Sequence, residues 1–150
     1  MNGVILQEKE VYYDNEKLYY TNLKLIIQAC GLDEKQYNWL ITSYECNYYP
    51  NKELENKRHE YIWLSGNEFN KLINHDTLQF IWGIIVSFPL TVSKDEVLEL
   101  PLPTYQKDEY LHLLSIFEIV SEDSTLVKVF SKQNEYIQKF TNNIPEVKKI

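Results

Sequence analysis

The residues richest in chemical potential are a neighbouring imidazole and carboxylate, His75 and Asp76, set in the otherwise apolar run "LINHDTLQF" at 72–80. Such a pair can ligate a divalent metal ion, and His59 with Asp123 would complete a set of four ligands. The same pair also suits a helix end. It follows the last apolar position of "SGNEFNKLI" (65–73), where a histidine can donate to unpaired carbonyls and a positive charge suits the helix dipole. No HExxH, CxxC or Asp-rich calcium loop accompanies it, so neither a metal nor a cofactor is expected.

The dipeptide is similar to the signature of the HD phosphohydrolases, but those enzymes are all-helical. Here His59 falls in a charged loop beside the strand-like "YIWL" (61–64), and Asp123 falls in a hairpin turn, so the helix-end reading is preferred. The third histidine, His112, lies in an apolar stretch and reads as a half-buried structural residue. For nucleophilic catalysis a GxSxG elbow is missing, Cys30 sits on an apolar helical stripe, and Cys46 has no histidine near it in sequence. With 4 glycines there is no phosphate-cradling loop. The acidic pairs at 33, 95, 108 and 122 read as solvated. Acid/base work needs carboxylates converging on one cleft, and convergence is not readable from spacing. A small hydrolase whose histidine and carboxylates meet only in the fold is therefore kept as the alternative to a non-enzymatic protein.

Composition narrows the class further. At 150 residues the chain has the usual length of one domain, here residues 1–150, and folding at that length buries roughly two-thirds of the unfolded surface. A net charge of −7 without a basic cluster repels phosphate backbones, so neither nucleic acid nor an anionic membrane is the expected partner. A protein with a basic surface is the better match. Two cysteines are too few for a disulfide scaffold, and the N-terminal "MNGVILQEKE" lacks the pattern of a signal peptide, so free thiols and a cytoplasmic location are expected. The longest apolar run, "FIWGIIVSFPL", is shorter than the roughly 20 residues of a membrane span.

The elements that must position these groups follow from periodicity. "GVILQ" (3–7) predicts a first strand, and Leu18, Leu23, Ile26, Ile27 and Cys30 predict a helix closed by Gly31. In "YNWLITSYEC" (37–46), Tyr37, Trp39 and Ile41 share one side of a strand and Leu40 takes the other. The polar stretch 47–60 is the main exposed loop, with a short helical turn after Pro50. "YIWL" is a strand, and Ser65 with Glu68 forms a capping box ahead of the stripe Phe69, Leu72 and Ile73. "FIWGIIVSF" (80–88) predicts a central strand buried on both faces, Trp82 included, with Gly83 marking a bulge or a close approach. Residues 90–108 read as an extended surface connection with at most one helical turn at "SKDEVL". Segments 110–120 and 125–131 read as a hairpin around "SEDS". Ser131 is placed as the cap of a helix carrying Tyr136, Ile137 and Phe140, before a frayed tail after Pro145. The fold class is α+β, a mostly antiparallel sheet of about five strands with two or three helices packed on one face.

The order "YNWLI", polar loop, "YIWLSGNEF", "FIWGIIVSFP" and "FEIVSEDSTLVKVFSKQNEYIQKF" resembles small bacterial proteins, some of them encoded near polymorphic-toxin loci. That resemblance implies a toxin-immunity or regulatory binding role and assigns no residue. From the residues themselves, Tyr48 and Tyr49 are the candidate aromatic anchors of a docking loop, and Glu53 and Glu55 its steering charges. A homodimer built through an edge strand is the third reading.

Overall fold

The computed structural model describes residues 2–7, 10–17, 22–55, 61–75, 77–105 and 112–150. A seven-stranded sheet is built from β1 (Asn2–Leu6), β4 (Tyr37–Cys46), β5 (Tyr61–Leu64), β6 (Phe80–Pro89), β7 (Phe117–Glu122), β8 (Leu126–Ser131) and β9 (Lys148–Lys149). Its order is β5-β4-β6-β7-β8-β1-β9, with every neighbouring pair antiparallel. A separate two-stranded ribbon joins β2 (Tyr12–Tyr13) to β3 (Glu16–Lys17). Its turn residues Asp14 and Asn15 both adopt positive φ, the geometry that matches the twist of a two-residue hairpin. The helices are α1 (Leu23–Cys30), α2 (Lys52–Glu55), α3 (Gly66–Ile73), α4 (Lys94–Leu98) and α5 (Asn134–Asn143).

Local chemistry sets these boundaries. Asn22 caps α1 by accepting from the Leu25 N–H at 3.3 Å. The far end closes on Gly31 at φ 68°, with Gly31 N–H on Gln28 and Leu32 N–H on Ile27, the paired bonds of a Schellman ending. The expected start of this helix at Leu18 lies outside the described residues. α3 carries the reciprocal capping box of Ser65 and Glu68, and Gly66 just inside it allows a close approach: a Cβ there would lie 2.6 Å from the backbone of Lys35. α4 repeats the capping box with Ser93 and Glu96.

Trp39 is the link between these parts. Fully buried on β4, it stacks on Phe69 of α3 with ring centroids 4.0 Å apart, and its indole N–H donates to the Glu34 carbonyl at 2.9 Å. Tyr37 on the same strand shares a hydroxyl hydrogen bond of 2.9 Å with Tyr136 of α5. Alternate residues then sort to the two faces of the sheet. Trp39, Ile41, Ile85, Ile119, Val127 and Val129 join the core beneath α1, α3 and α5. Leu40, Ile84, Val86, Phe88, Val120 and Phe130 form a second apolar cluster on the opposite face.

That second cluster corrects the expected outline. The sheet has seven strands rather than about five, there are five helices among the described residues, and helices do not cover one face alone. The connection after β6 is more than a surface strap: Val97 of α4 is fully buried, and Leu98, Leu102, Tyr105 and Leu114 pack partly buried onto the second cluster. Strands apolar on both faces require such a cover.

Four local expectations also shift. Residues 112–116 form a turn, and the strand begins only at Phe117. Helix α5 starts at Asn134 behind Gln133. Ser131 instead ends β8, its hydroxyl accepting from the Gln133 N–H at 3.0 Å. The tail after Pro145 ends in β9, paired with Val4 and Ile5 of β1. The bulge expected near Gly83 lies on the partner strand, where the β4–β6 register shifts between Thr42 and Glu45 around Ser43 at φ 51°. Among the described residues no helix is long and apolar enough to cross a membrane.

Trp82 belongs to the end of β6 where its register with β4 is irregular. It is partly exposed and meets Tyr105 edge-on at 5.3 Å, unlike the fully buried Trp39. Trp39→Ala is therefore expected to cost about 3–5 kcal/mol and Trp82→Ala roughly half as much or less. Chemical denaturation of both variants checks the order, and equal losses would contradict the burial assigned here.

Candidate functional site

The loop after β4 is organised by Asn47. Its carboxamide donates to the Thr77 carbonyl at 2.7 Å and accepts from Gln79 N–H at 2.9 Å and Tyr48 N–H at 3.1 Å, so the loop is bonded to the chain entering β6. Asn51 then caps α2 by accepting from Leu54 N–H at 2.8 Å. Leu54 is 1% exposed, and its carbonyl accepts from the buried Tyr44 hydroxyl at 2.7 Å. One turn of helix is thus anchored by a single leucine and one hydroxyl.

This anchoring decides where the expected docking residues go. Tyr48 and Tyr49 are partly buried and pack against the main core, the Tyr49 hydroxyl accepting from Cys46 N–H at 3.5 Å. Glu53 and Glu55 are exposed on α2. The aromatic and acidic pairs are therefore layered, rings beneath and carboxylates outside. Glu60 and His59 lie outside the described residues, as does Asp76.

Between α2 and α3 runs an open groove of about 360 Å³, with Leu64 and Leu72 at its base and Lys52, Glu53, Glu68, Lys71 and His75 around it. One carboxylate oxygen of Glu68 is committed to the Ser65 N–H at 3.0 Å by the capping box. The helix-end role expected of the His75 ring belongs instead to Asn74, whose side chain donates to the Asn70 carbonyl at 2.7 Å; His75 caps only through its backbone N–H on Leu72. Among the described residues, two carboxylates, Glu53 and Glu68, and two ammonium groups, Lys52 and Lys71, line the groove.

Next to this groove, β5 is an edge of the sheet. Among the described residues it pairs with β4 alone, and Tyr61, Ile62 and Trp63 are all partly exposed. Lys94 sits over the Tyr61 ring at 5.5 Å. Strand order is not encoded in local periodicity, so this edge was not legible in the sequence.

A second polar constellation went unnoticed in the sequence because its members lie in an apolar stretch. Glu118 on β7 is 0% exposed, and its Oε2 accepts from His112 N–H at 3.1 Å and from the Ser115 hydroxyl at 2.7 Å. The His112 ring, edge-on to Phe88, accepts from Leu114 N–H at Nδ1 and donates from Nε2 to the Val97 carbonyl at 3.1 Å. Lys132 completes the fastening by donating to the Leu113 carbonyl at 2.7 Å. Both ring nitrogens of His112 are engaged by backbone, and the Ser115 hydroxyl is turned to the carboxylate rather than to the ring. The arrangement holds a turn onto the sheet; it does not present an activated nucleophile.

The remaining reactive groups are dispersed. Cys30 is buried, and burial pushes its thiol well above the ordinary range, while Cys46 is also buried. Asp123 occupies the β7–β8 turn at φ 50°. Among the described residues, no three His, Cys, Asp or Glu side chains come together as a metal site. Comparison with protein families, curated proteins and solved structures finds no match to the chain.

Two expectations follow. Asn74→Ala should cost about 0.5–1 kcal/mol through the lost carbonyl partner, and the exposed His75→Ala should stay within about 0.5 kcal/mol, both read by thermal or urea unfolding.

The second concerns pH. Burial holds the His112 imidazole below the ordinary histidine value of about 6.5, so as pH falls the unfolded chain takes up the proton first. Its contribution to stability is complete above that value and declines as pH drops through it toward the folded pKa. Between roughly pH 7 and pH 5 the wild type should lose more stability than His112→Gln, and parallel losses in urea titrations would contradict the assignment.

Proposed function

We propose that the protein is a non-catalytic docking module whose contact surface is formed by α2, the α2–α3 groove and the open edge of β5, and whose partner carries a basic surface. The observation that carries this reading is the edge itself. Partly exposed Tyr61, Ile62 and Trp63 stand on a strand with one described neighbour, and an added strand gains backbone hydrogen bonds there while aromatic side chains supply contact area. Glu53 and Glu55 on α2 lie just before this strand in the chain, and with a net charge of −7 they favour approach of a cationic protein. Tyr48 and Tyr49 serve the surface from below, by packing against the core under the loop that carries α2. A toxin-immunity role fits this charge sense, since an acidic inhibitor gains association rate against a basic target.

A hydrolase is the second reading. It is favoured by one observation, that His75, Glu53 and Glu68 line the same groove. The capping bond already held by Glu68 and the openness of the groove to solvent speak for the docking reading.

The test is kinetic. Against a partner captured from the native cell and verified as a purified pair, Glu53→Gln/Glu55→Gln should lower the association rate several-fold at low ionic strength and flatten its salt dependence, leaving dissociation unchanged. Ile62→Pro, which alters the edge strand, should speed dissociation. Unchanged kinetics in both variants would overturn the proposed surface. Self-association of the pure protein, abolished by Ile62→Pro, would reassign the edge to a homodimer.

A further inference from the structure

Successive residues of an antiparallel strand turn their backbone N–H and C=O to alternate sides, so one known bond fixes the direction of the others across the sheet. The Lys132 N–H donates to the Ile116 carbonyl at 2.9 Å, which with the β7–β8 register makes Glu118 and Phe130 a hydrogen-bonded pair. Phe117 and Ile119 then face Ser87 and Ile85 of β6, Val86 and Ile84 face Leu40 and Thr42 of β4, and Trp39 and Ile41 face Leu64 and Ile62 of β5. Tyr61 and Trp63 are thereby the β5 residues whose N–H and C=O point out of the sheet. Ser65, the next in that series, has its N–H closed by the Glu68 carboxylate at 3.0 Å. The far edge is built otherwise. There the Ile150 N–H donates to the Gly3 carbonyl at 3.1 Å, so β9 turns outward the backbone of Lys149, with exposed lysine side chains that blunt an edge against pairing.

Given the docking surface proposed above, on which this reading rests, we infer that the partner supplies one extended segment that joins β5 as an antiparallel strand. Two of its residues, i and i+2, pair with Trp63 and Tyr61, and both are apolar. Antiparallel addition continues a sheet in which every neighbouring pair is antiparallel, and two residues at that spacing satisfy all four outward groups in two closed pairs. Directly opposite side chains stand on the same face of the sheet, so residues i and i+2 lie beside the Tyr61 and Trp63 rings. Those rings are held in place within the protein itself. Trp63 leans on Phe88 with centroids 5.7 Å apart, the Lys94 ammonium lies 5.5 Å from the Tyr61 centroid, and both rings remain partly exposed. β-Branched side chains are good partners for such rings across a ladder. Residue i+1 turns its own N–H away from β5 and stands on the face of Ile62, so it makes no backbone bond to the edge.

The experiment uses the full chain, isotopically labelled, and a blocked peptide of sequence Lys-Val-Lys-Val-Lys, whose lysines suit the net charge of −7. Nuclear magnetic resonance follows the titration and the exchange of single amides. In the free protein the Tyr61 and Trp63 amides should exchange fast and those of Ile62 and Leu64 slowly; at saturating peptide the first two should slow several-fold. N-methylation of both valines should weaken binding about tenfold, and N-methylation of the central lysine should change it little. No binding by the peptide, unchanged exchange at Tyr61 and Trp63, or equal losses from the two N-methylations would overturn the added strand. The docking surface itself answers to the kinetics of Glu53→Gln/Glu55→Gln and Ile62→Pro, so it stands if those effects are found and the peptide fails.

Discussion

Everything in this fold depends on a sheet that cannot show either face to water. β4, β6, β7 and β8 place large apolar groups on both sides: Trp39, Ile85 and Ile119 toward one, Leu40, Val86 and Val120 toward the other. Antiparallel sheets often leave one face solvated, and each fully buried large side chain here would forfeit about 1.5–3 kcal/mol if exposed. Two covers are therefore required. Helices supply the first, and the connection after β6, whose described residues include the short α4, supplies the second. What remains accessible is the two strand edges and the grooves where the covers meet the sheet.

The two covers are attached by different physics. α1, α3 and α5 dock mainly by shape, through the Trp39–Phe69 stack and side chains such as Ile26 and Phe140, helped by single polar links such as Asn143 to the Ala29 carbonyl at 2.9 Å. The second cover lacks helical faces of that length. It is tied by hydrogen bonds instead, with Glu118 holding the turn, His112 holding the end of α4, and the Tyr105 hydroxyl donating to the Ser43 carbonyl. A carboxylate taken fully out of water is costly unless donors surround it, and the turn supplies them. A buried polar cluster thus sits in a stretch whose described residues carry little regular secondary structure.

Legibility divides along the same line. The Gly31 helix ending, the Ser65–Glu68 capping box and the two-sided strand 37–46 were readable because each is a local pattern with a local cause. Hydrophobicity alone misled at 112–116, where "HLLSI" is apolar enough for a strand but turns, with Glu118 accepting from the His112 N–H that a ladder would otherwise have used. At the C-terminus the misreading ran the other way: "VKK" has no strand signature, and β9 forms only because β1 offers it an edge. Of the candidate site, the exposure of Glu53 and Glu55 was legible from polarity. The inward packing of Tyr48 and Tyr49 was not, since it depends on the bonds of Asn47 to residues some thirty positions later.

The place of β1 in the sheet has a consequence for biosynthesis. Asn2–Leu6 is made before the other described strands, yet its partners are Leu126–Ser131 and Lys148–Lys149, so neither strand neighbour exists until most of the described chain has emerged. At ordinary elongation rates that wait is on the order of ten seconds, long compared with the microseconds in which a hairpin forms. During it, β4, β5 and β6 can pair with one another, and β7 and then β8 add to them as they emerge, leaving the sheet open on the β8 side until β1 inserts. The nascent protein must therefore carry an unpaired apolar strand at one end and an unfilled slot at the other. Insertion of β1 beside β8 only after β8 has been made is the order that this topology imposes.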